Sequence, residues 1–169
     1  MRDVQQSAPP NEAEFRNAMG LFATGVCIVA VDTGAQGIVA MTINSFVSIS
    51  LDPLLVSWSL QNDSNRFDLF ADAQRFSISV LAADQEELAL VYASREDAAV
   101  RVTDFAVSEQ GLPSLKGALA SFDCSAFAVH PGGDHTLILG EVTGLQTTHA
   151  HDAKALGFYQ GEFISVSAN

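Results

Sequence analysis

The amino-acid sequence predicts a mainly β fold: an antiparallel barrel carrying two or three peripheral helices. Three observations lead there. From Val26 onward, β-branched and aromatic residues gather in short runs divided by Gly, Pro, Asn and Asp turns. Helical spacing is confined to a few short stretches, too unevenly placed to alternate with strands as a parallel α/β sheet requires. The chain has 169 residues, 48% of them hydrophobic and 17% charged, which suits one self-sufficient core and lies far from the composition of disordered chains.

Residues 1–10 are polar and end in Pro9-Pro10, so they read as a flexible N-terminal arm before one domain spanning 11–169. Asn11 is a good N-cap with Glu14 three places on. Phe15, Ala18, Met19 and Phe22 then recur at helical spacing, and this helix is expected to dock one apolar face on the body. Strands are expected over 26–32, 38–43, 46–50 and 54–60, with a turn over 33–37. Ser64 can cap a short helix carrying Phe67, Phe70 and Ala71, after which Phe76, Ile78 and Val80 alternate as a strand. Asp84 opens another helix, with Glu87 placed for a capping box. A strand over 105–108 and a Gly111-Leu112-Pro113 turn follow. Strands over 118–129 and 136–147 are joined through His130-Pro131-Gly132-Gly133-Asp134 as a hairpin, and a last strand lies near 163–167. The total is roughly eight strands, without internal repeat or linker.

Charge and motifs exclude several function classes. Eight Lys and Arg against 20 Asp and Glu give a net charge of -12, whose field repels polyphosphates and anionic lipid. Nucleic acid and membrane surfaces are therefore not expected partners, and an anionic ligand must be held locally by N–H groups, hydroxyls and a placed cation. Cys27 and Cys124 form no C-x-x-C pair and sit among apolar or small residues, as reduced core cysteines do. With no signal h-region and no long apolar run, the expectation is a soluble, cytoplasmic protein. Gly20 and Gly25 have the spacing that opens a P-loop, but Val26 and Cys27 stand where Lys and Ser or Thr are needed. The sequence has no G-x-G-x-x-G after a strand, no G-x-S-x-G elbow and no H-E-x-x-H. His149 and His151, with His130 and His135, are conceivable metal ligands, yet the polar setting of the pair favours exposed histidines, and no metal site is expected.

Three segments carry candidate chemistry. In Met41-Thr42-Ile43-Asn44-Ser45-Phe46, followed by Ser48-Ile49-Ser50-Leu51-Asp52-Pro53, polar residues break an otherwise apolar strand. Such a break can present main-chain donors and acceptors to a planar heterocycle; an ordinary capped turn is the alternative. Gln61-Asn62-Asp63-Ser64-Asn65-Arg66 ends a strand and opens a helix, where N–H groups, a hydroxyl and a guanidinium can receive a phosphate. A normally capped helix is the alternative, and Asp63 argues against a tightly held dianion at that point. Gly133-Asp134-His135 puts an imidazole at a hairpin mouth, either to donate to a carboxamide or to be satisfied by Asp134.

Together these segments resemble the flavin reductase-like, FMN-binding split-barrel family, the small components of two-component flavin monooxygenases. The resemblance runs from Phe15-Arg16-Asn17-Ala18-Met19 and Phe22-Ala23-Thr24-Gly25-Val26 through Ala40 to Phe46 and Ser50-Leu51-Asp52-Pro53. It continues over Ser79 to Gln85, Gly133-Asp134-His135 with Gly140-Glu141-Val142, and Tyr159-Gln160-Gly161. Leu54 and the stretch Ala155-Leu156-Gly157-Phe158 lack prolines frequent in the family, and the second departure leaves the position of Tyr159 open.

The resemblance implies a Greek-key split barrel, a homodimer, and a flavin groove near the subunit interface. Met41, Thr42, Ile43, Asn44 and Ser45 fall on the flavin-binding strand, and of these Thr42, Asn44 and Ser45 match positions along the isoalloxazine and ribityl chain. Ser59, Ser64, Asn65 and Arg66 fall where ribityl or phosphate contacts are expected. His135 matches the histidine near the nicotinamide, its implied catalytic or positioning residue, and Tyr159 the aromatic of the closing segment. The implied reaction is hydride transfer from C4 of NADH or NADPH to N5 of FMN or FAD, with reduced flavin passed to a partner monooxygenase. The rival expectations are an oxidase with tightly held FMN and a non-enzymatic barrel binding flavin or haem.

Overall fold

The computed structural model describes residues 9–34, 37–94, 100–148 and 153–167. Most of the expected arm, as well as His149 and His151, lies outside them. Helix α1 (Glu12–Gly20) leads into β1 (Thr24–Gly25), β2 (Cys27–Asp32), β3 (Ile38–Ile43), β4 (Val47–Leu51) and β5 (Leu54–Gln61). Helix α2 (Phe67–Ala71), β6 (Arg75–Val80) and α3 (Glu86–Ala93) come next, followed by β7 (Phe105–Val107) and β8 (Pro113–Leu115). The long hairpin β9 (Ala120–Gly132) and β10 (His135–Thr147) and the short hairpin β11 (Ala155–Tyr159) and β12 (Glu162–Val166) complete the chain.

Seven antiparallel strands form the main sheet in the order β3-β2-β6-β9-β10-β5-β4. Strands β3 and β4 are consecutive in the chain yet lie at opposite edges, with only Asn44, Ser45 and Phe46 between them. Ile43 and Val47 are four residues apart and so at most about 14 Å apart, which obliges the sheet to curl until its two edges nearly meet. The barrel is therefore split, and residues 44–46 bridge the split.

Alternation along the strands divides the core in two. Cys27, Val29 and Val31 of β2 point inward with Trp58, Leu60, Phe76, Ile78 and Ile138. Trp58 is fully buried, lies edge-on to Phe70 and Phe76 with ring centroids 5.6 and 6.1 Å away, and leaves its Nε1 without a partner among the described residues. On the other face of β2, Ile28 and Ala30 pack with Ala89 and Tyr92 of α3, and with Phe105, Leu115 and Leu156. Strand β2 is thus buried on both sides, which explains its unbroken apolar run.

Several expectations need correction. The capping box at Asn11 is present, with Glu14 N–H donating to Asn11 Oδ1 at 3.0 Å and Asn11 N–H to Glu14 Oε2 at 2.9 Å. Yet α1 buries none of its residues, and Phe15, Met19 and Phe22 stay at least half exposed, because no described residue covers this apolar face. Asp84 lies inside a 3₁₀ turn, and α3 starts at Glu86, because Gln85 Oε1 reaches back to accept from Ala82 N–H at 3.0 Å. Ser64 does not cap α2: its hydroxyl accepts from Arg66 N–H at 3.2 Å, and Arg66 occupies the cap position.

The strand β8 begins at Pro113, which the sequence reads as a turn, but proline is tolerated as the first residue of a strand. The strand β11 passes through Gly157, where a Cβ would meet Val166 Cγ2 at 2.8 Å, so this glycine admits β12 rather than breaking the strand.

Candidate active site

Three cavities follow one another along β3, each sharing lining residues with the next. One of about 350 Å³ lies between Met41 and Thr42 of β3 and the turn Gln61 to Arg66, with Ala93 and Ser94 closing its far side. The next, about 160 Å³, shares Thr42 and Ala93 and adds Ile43, Asn44 and Phe158. The last, about 670 Å³, shares Asn44 and Phe158, takes in Ser45, and reaches Arg16 and Met19 of α1 and Phe22 just beyond it. The shared residues make one groove whose wall is the strand that breaks at Asn44.

The local chemistry of that wall follows from its place in the sheet. Among the described residues, β3 pairs only with β2, which leaves its other edge open. Arg66 Nη1 donates to the Ala40 carbonyl at 3.1 Å from that open side. By the two-residue period of a strand, the N–H and C=O of Thr42 point the same way. The Thr42 hydroxyl is used within the fold, donating to the Ala89 carbonyl of α3 at 2.7 Å. Ser45 Oγ accepts from Ser59 N–H at 2.9 Å, tying the bridge to β5 across the split. Asn44 is exposed, and its amide makes no hydrogen bond to any described residue.

At the other end, Arg66 is only 9% exposed. Its Nη1 bond to Ala40 and an Nη2 bond to the Ser94 carbonyl at 3.3 Å join β3 to the end of α3. Ser64 and Asn65 line the same cavity.

His135 opens β10 opposite Gln61. Their neighbours Thr136 and Leu60 pair on the buried inner face, so His135 shares the outer face with Gln61, which lines the cavity, while His135 itself stands one strand away. Its Nδ1 lies 2.8 Å from Asp134 Oδ1. That hydrogen bond, with the attraction of the imidazole, holds the Asp134 carboxyl below its usual range. The small stabilisation this brings is present above the ordinary carboxylate range and is lost as pH falls through the lowered value.

The hairpin tip is fastened to the cavity turn. Asn62 donates through its N–H to the Asp134 carbonyl at 3.0 Å and through Nδ2 to the Gly133 carbonyl at 3.2 Å, and Thr136 Oγ1 donates to Asn62 Oδ1 at 2.8 Å. Gly133, at φ 76°, supplies the positive-φ first position of this two-residue turn.

The fold thus brings Met41, Thr42, Ile43, Asn44, Ser45, Ser64, Asn65 and Arg66 to one groove. Ser59 stands behind Ser45, His135 beside Gln61, and Tyr159 is half-buried next to Phe158 without lining the groove. Phe158, edge-on to Phe163 at 5.4 Å, is an aromatic shared by two of the cavities, and Gln160 lines the α1 end of the groove. Both were absent from the sequence-based set; the alternation of side chains along β11 is the signal that separates Phe158 from Tyr159.

Residues 19–167 match the family model of the flavin reductase like domain. The chain belongs to the flavin reductase-like domain family. It is 43% identical over 153 residues to the FMN reductase (NADH) SmoA of Agrobacterium fabrum, covering 90% of this chain and 85% of that protein. An NADH-dependent flavin reductase of a Rhodococcus species is 39% identical, over 90% of this chain and 85% of its own. Among solved structures, the Streptomyces globisporus NADH:FAD oxidoreductase SgcE6 in complex with NAD and FAD fragments superposes with a TM-score of 0.87 at 30% identity, covering 98% and 99% of the two chains. BorF, the flavin reductase component of a bacterial two-component tryptophan halogenase, gives 0.84 at 31% identity over 94% and 100%.

The residues of this flavin reductase-like domain fit a flavin. Met41, Ala93 and Phe158 offer apolar surface to a ring, while the open main-chain edge at Thr42 and the unpartnered amide of Asn44 match a ring edge of alternating donors and acceptors.

Proposed function

We propose that this chain is an NAD(P)H:flavin oxidoreductase that reduces FMN or FAD and supplies the reduced flavin to a partner monooxygenase. The observation that carries this reading is the groove along the open edge of β3, where the strand breaks at Asn44 beside the apolar surface of Phe158. Support comes from relatives and solved neighbours whose names are those of NADH-dependent flavin reductases and reductase components.

When flavin and nicotinamide are both bound, the pair supplies hydride transfer from dihydropyridine to flavin. The chain's own part is alignment. The Thr42 main chain and the Asn44 amide hold the polar edge of the ring, and Met41 and Phe158 keep water from its face. Ser64 and Asn65 receive the ribityl and phosphate end, with Arg66 holding the wall behind them. His135, its Nδ1 fixed by Asp134, directs Nε2 toward a carboxamide at the mouth.

A homodimer and a cytoplasmic location belong to the same proposal. The exposed Phe15 and Met19 of α1, with Phe22 just beyond it, offer apolar area for a second copy, and both cysteines are free and buried. The deciding experiment is NADH and NADPH oxidation by the purified protein with and without added flavin. Oxidation that requires free FMN or FAD is the expected result. A protein that keeps FMN through dialysis and turns over without added flavin is an oxidase, and one that binds flavin without oxidising either nucleotide is a carrier; both outcomes overturn the proposal.

A further inference from the structure

The polar end of the groove is electrically balanced in a way that bears on which flavin it accepts. Among the described residues, the cavity beside Ser64 is lined by one cation, Arg66, and one anion, Asp63. The cation is committed: it is buried and donates to the carbonyls of Ala40 and Ser94. The anion is exposed and sits on the turn that forms the mouth.

The apolar and aromatic surface, Ile43 and Phe158, lies in the adjoining part of the groove. A flavin seated with its ring there brings its phosphate end to the Asp63 cavity. The phosphomonoester of FMN carries about −1.5 to −2 charges near pH 7 and the two phosphates of FAD together carry about −2, whereas riboflavin carries none. Repulsion from a fixed carboxylate scales with that charge.

We infer that Asp63 is a specificity-determining residue, disfavouring the phosphorylated flavins FMN and FAD, each of which carries about two negative charges on its phosphates, relative to riboflavin, which has none. The inference rests on the flavin reading above and deepens it. It also gives the groove a physical reason to hold FMN loosely and exchange it quickly, as a substrate handed onward must be.

The test is Asp63→Asn, which removes the charge at nearly constant shape on an exposed turn. Dissociation constants for riboflavin, FMN and FAD are measured by quenching of flavin fluorescence, and KM values by NADH oxidation. At low salt, the substitution should tighten FMN and FAD by roughly three- to tenfold each, with riboflavin moving less than about twofold. The FMN gain should collapse near 1 M salt, where the screening length is about 3 Å. Equal change for all three flavins, or no change for FMN, overturns the inference while leaving the reductase reading intact. Wild-type protein that quenches none of the three removes the reductase reading, and the inference with it.

Discussion

Asn44 and Arg66 stand at two ends of one groove and behave oppositely as residues. The Asn44 amide has no partner among the described residues, so on the proposed flavin reading Asn44→Ala removes a ligand contact and nothing of the fold. Flavin affinity should fall about three- to tenfold, the worth of one hydrogen bond, with the urea midpoint unchanged. Arg66→Met instead removes the donors to two carbonyls, the buried one of Ala40 and the part-buried one of Ser94. It should cost about 2–4 kcal/mol of stability in urea unfolding, and Arg66→Lys should recover little, because an ammonium cannot span both carbonyls as the planar fork does. The sequence marked both residues because polar groups interrupted an apolar run. It did not separate ligand-facing from fold-holding side chains, since that distinction depends on Ala40 and Ser94, which only the tertiary structure brings to Arg66. Ser59 belongs to the same class: its contribution is an N–H given to Ser45.

Elements that alternate cleanly were legible, and those shaped by close approach were not. The bounds of β3 match the sequence reading, and those of β5 and β6 nearly do, because inward Val56, Trp58 and Leu60, or Phe76 and Ile78, alternate with smaller outward residues. Strand β11 escaped because its glycine answers to β12, a neighbour still to come in the chain. The turn between these two strands holds Gln160 at φ 51°, with Gly161 at φ 86°. A left-handed conformation costs a non-glycine residue about 1 kcal/mol, so Gln160→Gly should raise the urea midpoint by the equivalent of ~0.5–1 kcal/mol. Gly140 on β10 is the reverse case: a Cβ there would sit 2.5 Å from Phe76 Cζ and 3.0 Å from Cys124 Cβ. Gly140→Ala should therefore destabilise by about 2–3 kcal/mol, read in the same assay, because Phe76 is fully buried and has nowhere to move.

At the scale of the molecule, the bridge over residues 44–46 both closes the sheet and walls the groove, so folding and ligand binding are linked. Saturating flavin should raise the melting temperature, by the equivalent of ~2.7 kcal/mol at a hundredfold excess over Kd. Burial pushes the thiols of Cys27 and Cys124 up to about 12 each, so neither should react with a disulfide reagent at pH 8 until the barrel unfolds. The exposed α1 face predicts a sedimenting mass of twice 17.9 kDa at micromolar concentration.

Trp58 has one more consequence. It is the sole tryptophan of the chain, sealed in hydrocarbon at the centre of the barrel with its indole nitrogen bonded to no described residue. The molecule therefore carries a single built-in optical probe. Its emission belongs at the blue end of the indole range in the native state and moves to the red when water reaches it. Energy passed from this indole to a bound yellow chromophore would dim it, so one unlabelled sample can report both melting and occupancy.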